Sequence, residues 1–220
     1  MAPNEDAKHS ETQARPIYMD HHATTPVDSR VLAQMLPFFS EDFGNASSRF
    51  YPQAKVAENA VETAREKVAS LLNAKISEIV FTSGATEANN LALQGVANAL
   101  GPSFTIVTQP TEHAAVLDTV NALKRRGVTV RFASVDNAGR VLEASLREQL
   151  SEARGPSLVS IMLSNNEIGT VQDVATLSAI AKENGALFHC DASQGTGYLP
   201  LDVTKAPVDL VSLSSHKIYG

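Results

Sequence analysis

The stretch "FTIVTQPTEHAAVLDTVNALKRRGVTVRFAS", residues 104–134, decides how the rest of the chain is read. Its first six residues, "FTIVTQ", form a short β-branched and aromatic run that predicts a strand. From His113 to Gly127 apolar residues recur at three- and four-residue steps, which predicts a helix, and Lys124, Arg125 and Arg126 place positive charge at its carboxyl end, where the helix dipole is negative. "VTVRFAS" then predicts a second strand.

The same alternation extends in both directions. Upstream, Ala57, Ala60, Val61, Ala64, Val68, Leu71 and Leu72 predict an amphipathic helix from about residue 54. "EIVFTS" (78–83) predicts a strand and "ATEANNLALQGVANAL" (85–100) a helix that stops at Gly101-Pro102. Downstream, "EASLREQLSEARG" and "VATLSAIAKENG" predict helices, and "SLVSIMLS", "ALFHCD" and "VDLVSLS" predict strands. The strands lack polar-out spacing. The expected fold class is therefore α/β, a mainly parallel sheet with helices on both faces.

The totals agree with a single unit. A chain of 220 residues, 43% hydrophobic, is long enough for one sizeable core. Its net charge of -6, with no basic cluster, argues against a nucleic-acid surface. No segment approaches 18 uninterrupted apolar residues, so no membrane span is expected. Residues 1–16, which mix both charge signs, read as a disordered lead-in, leaving 17–220 as the folded domain. Cys190 is the only cysteine, which excludes an internal disulfide and suggests a reducing, cytoplasmic setting.

In open parallel sheets ligands sit beyond the carboxyl ends of the strands. The residues after each run are polar: Ser83 to Glu87, Thr111-Glu112-His113, Ser164 to Glu167, Asp191 to Gln194, and Ser214 to Lys217. "TSGATE" offers a helix amino terminus and the Thr86 hydroxyl to a phosphate, or is an ordinary cap. It lacks the Lys-Ser or Lys-Thr of a P-loop. His113 suits stacking on a flat ligand or moving a proton, and equally suits capping or packing. Asn166 suits donating an amide to a phenolic oxygen, and "NNEIG" suits a plain polar turn. Asp191, at the end of an apolar strand, calls for a cationic partner. Lys217 is either a solvated surface lysine or, if buried, a neutral amine able to condense with a carbonyl. Neither His189-Cys190-Asp191 nor His21-His22 has the spacing of a metal site, so no metal is expected.

A phosphate cradle, a stacking imidazole, an amide, a buried carboxylate and a nucleophilic lysine are together what pyridoxal 5'-phosphate requires. The motifs "YMDHHATTP", "FGNASS", "FTSGATEANNLAL", "TEHAAVLDT", "VSIMLSNNEIGTVQD", "HCDASQ" and "SLSSHKIYG", in that order over residues 17–220, resemble the amino-terminal half of cysteine desulfurases. These belong to the class V aminotransferase group, with fold-type-I architecture. The resemblance implies Lys217 as the Schiff-base lysine, Asp191 on the pyridine nitrogen, and His113 stacked over the ring and aiding proton transfer. It implies Asn166 and Gln194 near the ring hydroxyl, and Thr86, Ser214, His216 and the backbone of Ala85 on the phosphate. The implied substrate is L-cysteine, whose sulfur passes as a persulfide to a cysteine and then to a sulfur-acceptor protein for iron–sulfur or thiolation chemistry, leaving alanine. The implied assembly is a homodimer.

Two departures bear on these expectations. Phe50-Tyr51 stand where many relatives have a histidine. The persulfide cysteine and the carboxylate-binding arginine of the family belong to its carboxyl-terminal half. A large domain ending before its last sheet strand is therefore expected, with apolar edges that another polypeptide would cover. Cys190, on the strand that feeds Asp191, does not replace the missing nucleophile. Within the same resemblance the alternative is a selenocysteine lyase or other class V enzyme; the alternative of a different class is a non-catalytic fragment that serves as a partner-binding or vestigial module.

Overall fold

The computed structural model describes residues 16–101 and 103–220; the lead-in expected over 1–16 lies, but for Pro16, outside the described residues. Helices α1 (Ser29–Met35), α2 (Pro37–Ser40) and α3 (Pro52–Leu72) come first, followed by α4 (Ala85–Leu100). The alternating region then runs β1 (Thr105–Thr108), α5 (Ala114–Arg125), β2 (Thr129–Phe132), α6 (Glu143–Ser151), β3 (Ser157–Met162), α7 (Val174–Glu183), β4 (Leu187–Asp191) and β5 (Leu210–Ser212). The five strands form one sheet in the order β2-β1-β3-β4-β5, and all four pairings are parallel. This is the expected α/β class.

Alternation along each strand separates two cores. Val107, Val159, Ile161, Phe188 and Cys190 point to one face, where Leu146 and Leu150 of α6 and Leu177 and Ile180 of α7 cover them. Ile106 and Leu158 point to the other, under Leu93 of α4 and Val116, Val120 and Leu123 of α5. Helices on both faces explain why β1 and β3 are buried at every position, on both sides of the sheet. Chain order reverses between β1 and β3: β2 lies on one side of β1, and β3, β4 and β5 follow on the other. The crevice at their carboxyl ends is thus fixed by topology.

One expected strand is absent. "EIVFTS" begins in a 3-10 turn, Ile76–Glu78, and continues without joining the sheet of the described residues. Its β-branched composition measures fitness for a half-buried pleated surface, and pairing needs a neighbour. Here Val80 and Phe81 remain exposed, and a groove of about 730 Å3 separates them from Val211 and Leu213 at β5. Helices α1 and α2 lie in the segment before α3, which the sequence pattern leaves unassigned. None of their residues is buried.

The core facing α6 and α7 depends on Phe188, which is wholly buried. Replacing Phe188 with Ala is expected to lower the unfolding free energy by about 3–5 kcal/mol, measured by denaturant titration. A loss below about 1 kcal/mol would mean that this core is not packed as described.

Candidate active site

All nine residues singled out above line one cavity of about 430 Å3 at the carboxyl ends of the strands. Asp191 ends β4, and its side chain is on the α4 side because alternation sends Cys190 to the opposite core. It is 3% exposed. Its Oδ1 accepts from the backbone N–H and the hydroxyl of Ser193, at 3.0 and 2.6 Å, and its Oδ2 accepts from Asn89 Nδ2 at 2.7 Å. All three donors are neutral, and among the described residues no ion pair involves Asp191. The cationic partner demanded by the sequence is therefore not a described side chain in hydrogen-bond contact, and the carboxylate is available to a cationic group in the cavity.

Lys217 lies across the cavity in the 3-10 turn Ser215–Lys217 that follows β5. Its amine donates to the carbonyls of His22 and, at 2.9 Å, Ala23. Burial lowers its pKa below the ordinary lysine value, against the opposing pull of Asp20 and Asp191. The surface-lysine alternative is thereby disfavoured: this amine is half-buried and aimed into the site.

The segment that holds Lys217 was not singled out as part of the site. Residues 20–28 are stitched over the end of the described chain. Thr25 N–H and Oγ1 donate to the His216 carbonyl at 2.8 and 2.9 Å, Thr25 Oγ1 accepts from Tyr219 N–H at 2.8 Å, and Asp28 N–H donates to the Tyr219 carbonyl at 2.9 Å. Gln194 Nε2 donates to the His22 carbonyl at 2.7 Å, and His22 Nδ1 contacts the Asn166 carbonyl at 3.2 Å. The motif "DHHATTP" carried the family resemblance, yet its adjacent histidines drew attention only as a rejected metal pair. Backbone carbonyls leave no signal in a sequence.

The alternatives left open for single residues turn out to be compatible. His113 caps α5 by accepting from Ala115 N–H at its Nδ1, 3.1 Å away, and also lines the cavity. With Nδ1 accepting, the neutral ring carries its proton on Nε2. Asn165 builds the turn, accepting from the N–H groups of Glu167 and Ile168 and donating to the Thr111 carbonyl, while Asn166 faces the cavity. Gly84 is the N-cap of α4 and supplies no side-chain cap, so the first N–H groups of that 16-residue helix, at Ala85 and Thr86, open toward the cavity beside Ser214 and His216. Gly195 follows Gln194 with φ 90°, and a Cβ there would stand 3.1 Å from both Leu163 and Leu199. Only glycine suits that turn.

Below Asp191, on the same face, runs a buried polar seam. Thr108 Oγ1 donates to the Ser160 carbonyl, and His189 joins Ser160 Oγ at Nδ1 (2.9 Å) to Ser212 Oγ at Nε2 (3.0 Å). Burial holds His189 well below the ordinary imidazole value of 6.5, against the upward pull of Asp191. Behind the site, Glu112 is buried after β1, and burial pushes its carboxyl up to about 8. Cys190 is likewise buried, with its thiol pushed upward. Among the described residues no group of three or more His, Cys, Asp or Glu is placed to hold a metal, and no helix is long and apolar enough to cross a membrane.

The profile of the family Aminotransferase class-V matches residues 17–220, and the chain belongs to that family. It is 53% identical over 206 residues to a cysteine desulfurase IscS of Anaeromyxobacter sp. (strain Fw109-5), covering 93% of this chain and 50% of the relative. It is 47% identical over 215 residues to a cysteine desulfurase IscS of Methylobacillus flagellatus, covering 95% and 52%. Among solved structures, a NifS-like protein superposes with a TM-score of 0.88 at 42% identity, covering 93% of this chain and 56% of the other. A structure described as SspA in complex with cysteine superposes with 0.87 at 38%, covering 92% and 58%. The chain thus spans about half the length of the curated relatives it matches.

Two outcomes are expected from this geometry. His189 has a folded pKa below its unfolded one, so its contribution to stability is full above 6.5 and is lost as pH falls through the lowered value. His189→Gln should make the fall of the denaturation midpoint below about pH 6.5 shallower by up to one proton, read from urea titrations across pH. Thr25→Val removes both the donor to His216 and the acceptor for Tyr219. It should cost about 1–3 kcal/mol and hasten proteolytic cutting of the segment before α1. An unchanged cutting rate would mean that the clasp does not hold it.

Proposed function

We propose that residues 17–220 are the pyridoxal-phosphate-binding large domain of a cysteine desulfurase. The observation that carries this reading is the pairing, across one cavity, of a buried carboxylate that has no ion-pair partner among the described residues with a lysine amine whose pKa burial has lowered. Bound there, pyridoxal phosphate supplies an aldehyde for condensation with amines and a protonated ring that draws electrons from bonds of the attached amino acid.

The residues divide the work by position. Asp191, fixed by Ser193 and Asn89, would accept a hydrogen bond from the ring nitrogen and favour positive charge there. Lys217 would offer the aldehyde an amine whose pKa burial lowers, and the carbonyls of His22 and Ala23 hold that amine in place. The free N–H groups at the start of α4, with the Thr86 and Ser214 hydroxyls and His216, bind the phosphate. His216 is oriented for this by its Nδ1 contact with Thr24 Oγ1 at 3.1 Å. His113, lining the cavity, would hold or move a proton at Nε2, because Nδ1 is engaged at the helix cap. Asn166 and the free Oε1 of Gln194 serve the ring hydroxyl.

The substrate in this reading is L-cysteine. It is supported by relatives named as cysteine desulfurases and by a structural neighbour described with cysteine bound. The sulfur passes to a thiolate as a persulfide and alanine remains. Cys190 cannot be that thiolate, because it is buried in the core on the far face of the sheet. The accepting cysteine therefore comes from outside the residues described, and a homodimer delivering sulfur to an acceptor protein in the cytoplasm completes the proposal.

Adding pyridoxal phosphate to the chain should give a visible absorbance band that Lys217→Ala abolishes. Asp191→Asn should weaken cofactor binding about ten- to a hundredfold, the worth of a hydrogen bond to a charged group. Extended polypeptide that carries a further cysteine should release sulfide and alanine from cysteine in the presence of a reductant. No band in the folded chain, or no sulfide from the extended protein, would overturn the reading. Faster turnover of selenocysteine than of cysteine would reassign the substrate.

A further inference from the structure

Glu112 has no part in the work assigned above, yet it is a buried carboxyl immediately after β1, behind the cavity. It lies at the switch point between β1 and β3, where its Oε1 accepts from the backbone N–H of Met162 at 2.7 Å and from Gln109 Nε2 at 2.8 Å. Met162 is the residue that pairs with Asp191 across β3 and β4. Glu112 also precedes His113 directly in the chain. One carboxyl thus ties the segment that carries His113 to the strand tip beside Asp191.

Its second oxygen is different. Among the described residues Glu112 Oε2 is buried without a hydrogen-bond partner, and so is Asn89 Oδ1, whose amide nitrogen serves Asp191. The two carboxyls feel each other, and the three donors in reach of Asp191 contrast with two neutral donors on one oxygen of Glu112. The other ionisable groups around Glu112 are His113, its chain neighbour, and the buried Cys190 of β4, which senses its charge. Among the described residues no lysine or arginine forms an ion pair with it. An ionised Glu112 would leave a lone-pair oxygen unmet in a low-dielectric corner that already holds one negative charge.

We propose that Glu112 is a positioning residue that works as a neutral carboxylic acid, bracing Met162 with Oε1 while keeping its proton on Oε2. The corner between Glu112 and Asp191 then carries one negative charge, on Asp191, and its distance from His113 is set by a brace that does not compete for a cation. The proposal rests on the cofactor reading above only for what Asp191 and His113 do. The protonation of Glu112 is a property of the cofactor-free chain as well. The sign of its linkage is fixed: the folded pKa lies above the ordinary 4.5, so the stability it contributes is present below 4.5 and is lost as pH rises through about 8.

The test is a carbon-13 NMR titration of the chain labelled at glutamate side-chain carboxyls, without cofactor. One carboxyl is expected to titrate near 8, and Glu112→Gln should remove that signal. In the chain with pyridoxal phosphate, Glu112→Gln keeps an oxygen for Met162 and stays neutral. It should bind cofactor within about twofold of the parent, and its visible band should lack any pH step near 8 that the parent shows. Glu112→Ala loses the brace and should bind about tenfold more weakly, the worth of one buried hydrogen bond. If every glutamate titrates in the ordinary range, or if Glu112→Gln loses cofactor as badly as Glu112→Ala, the proposal fails. Should the Ala variant not fold, the parent titration still decides. Should the parent bind no pyridoxal phosphate, the functional reading falls while the cofactor-free titration judges Glu112 alone.

Discussion

Burying an ionised carboxylate at the end of an apolar strand costs several kcal/mol unless donors or a counter-charge meet it. Asp191 is met by Asn89 from α4 and by Ser193 from the turn beyond its own strand, and forms no ion pair among the described residues. Much of the local architecture answers this one requirement. α4 must approach the end of β4 for Asn89 to reach the carboxylate, and that approach also brings the amino terminus of α4 to the cavity. The turn after β4 must double back for Ser193, and Gly195 permits the next step of that turn. A group that leaves its charge only partly compensated is a common mark of a binding site.

The layers beneath the carboxylate follow a gradient along the strands. Ile106, Leu158 and Leu187 lie together deep under α4 and α5. Two residues further along, the polar seam of Ser160, His189 and Ser212 is fully hydrogen-bonded at His189. Two residues further still is Asp191. The seam has no titrating partner in the ordinary physiological range once His189 is neutral. It supplies rigidity and polarity without adding charge below the carboxylate.

The sequence spoke most clearly where one physical rule decided the outcome alone. Residues 104–134 form β1, α5 and β2, because helical and strand periods are unambiguous there and both partners of the sheet lie within the described chain. The residues beyond each strand tip converge for the same reason: a parallel sheet gathers its carboxyl ends. "EIVFTS" misled because composition reports suitability for a sheet, while membership depends on a neighbour that composition does not name. Residues 20–28 were opaque because their role is carried by the carbonyls of His22 and Ala23, which every residue type possesses. Asn165 and Asn166 were indistinguishable in sequence and separate only in space, one building the turn and the other facing the cavity.

The clasp and the brace also explain why distant segments must be present together for the site to exist. Lys217 is on a short turn after a three-residue strand, a position with little intrinsic rigidity. Its amine is located instead by residues nearly the whole chain length away, through Thr25 as much as through the two carbonyls. His113 is located by its cap on α5 and by the neighbouring carboxyl that grips Met162. Asp191, Lys217 and His216 are therefore each held in part by a partner from a distant segment. A site assembled in this way forms only when the sheet, α4 and the early arm are all in place, so local order at the cavity reports the folding of the whole described domain.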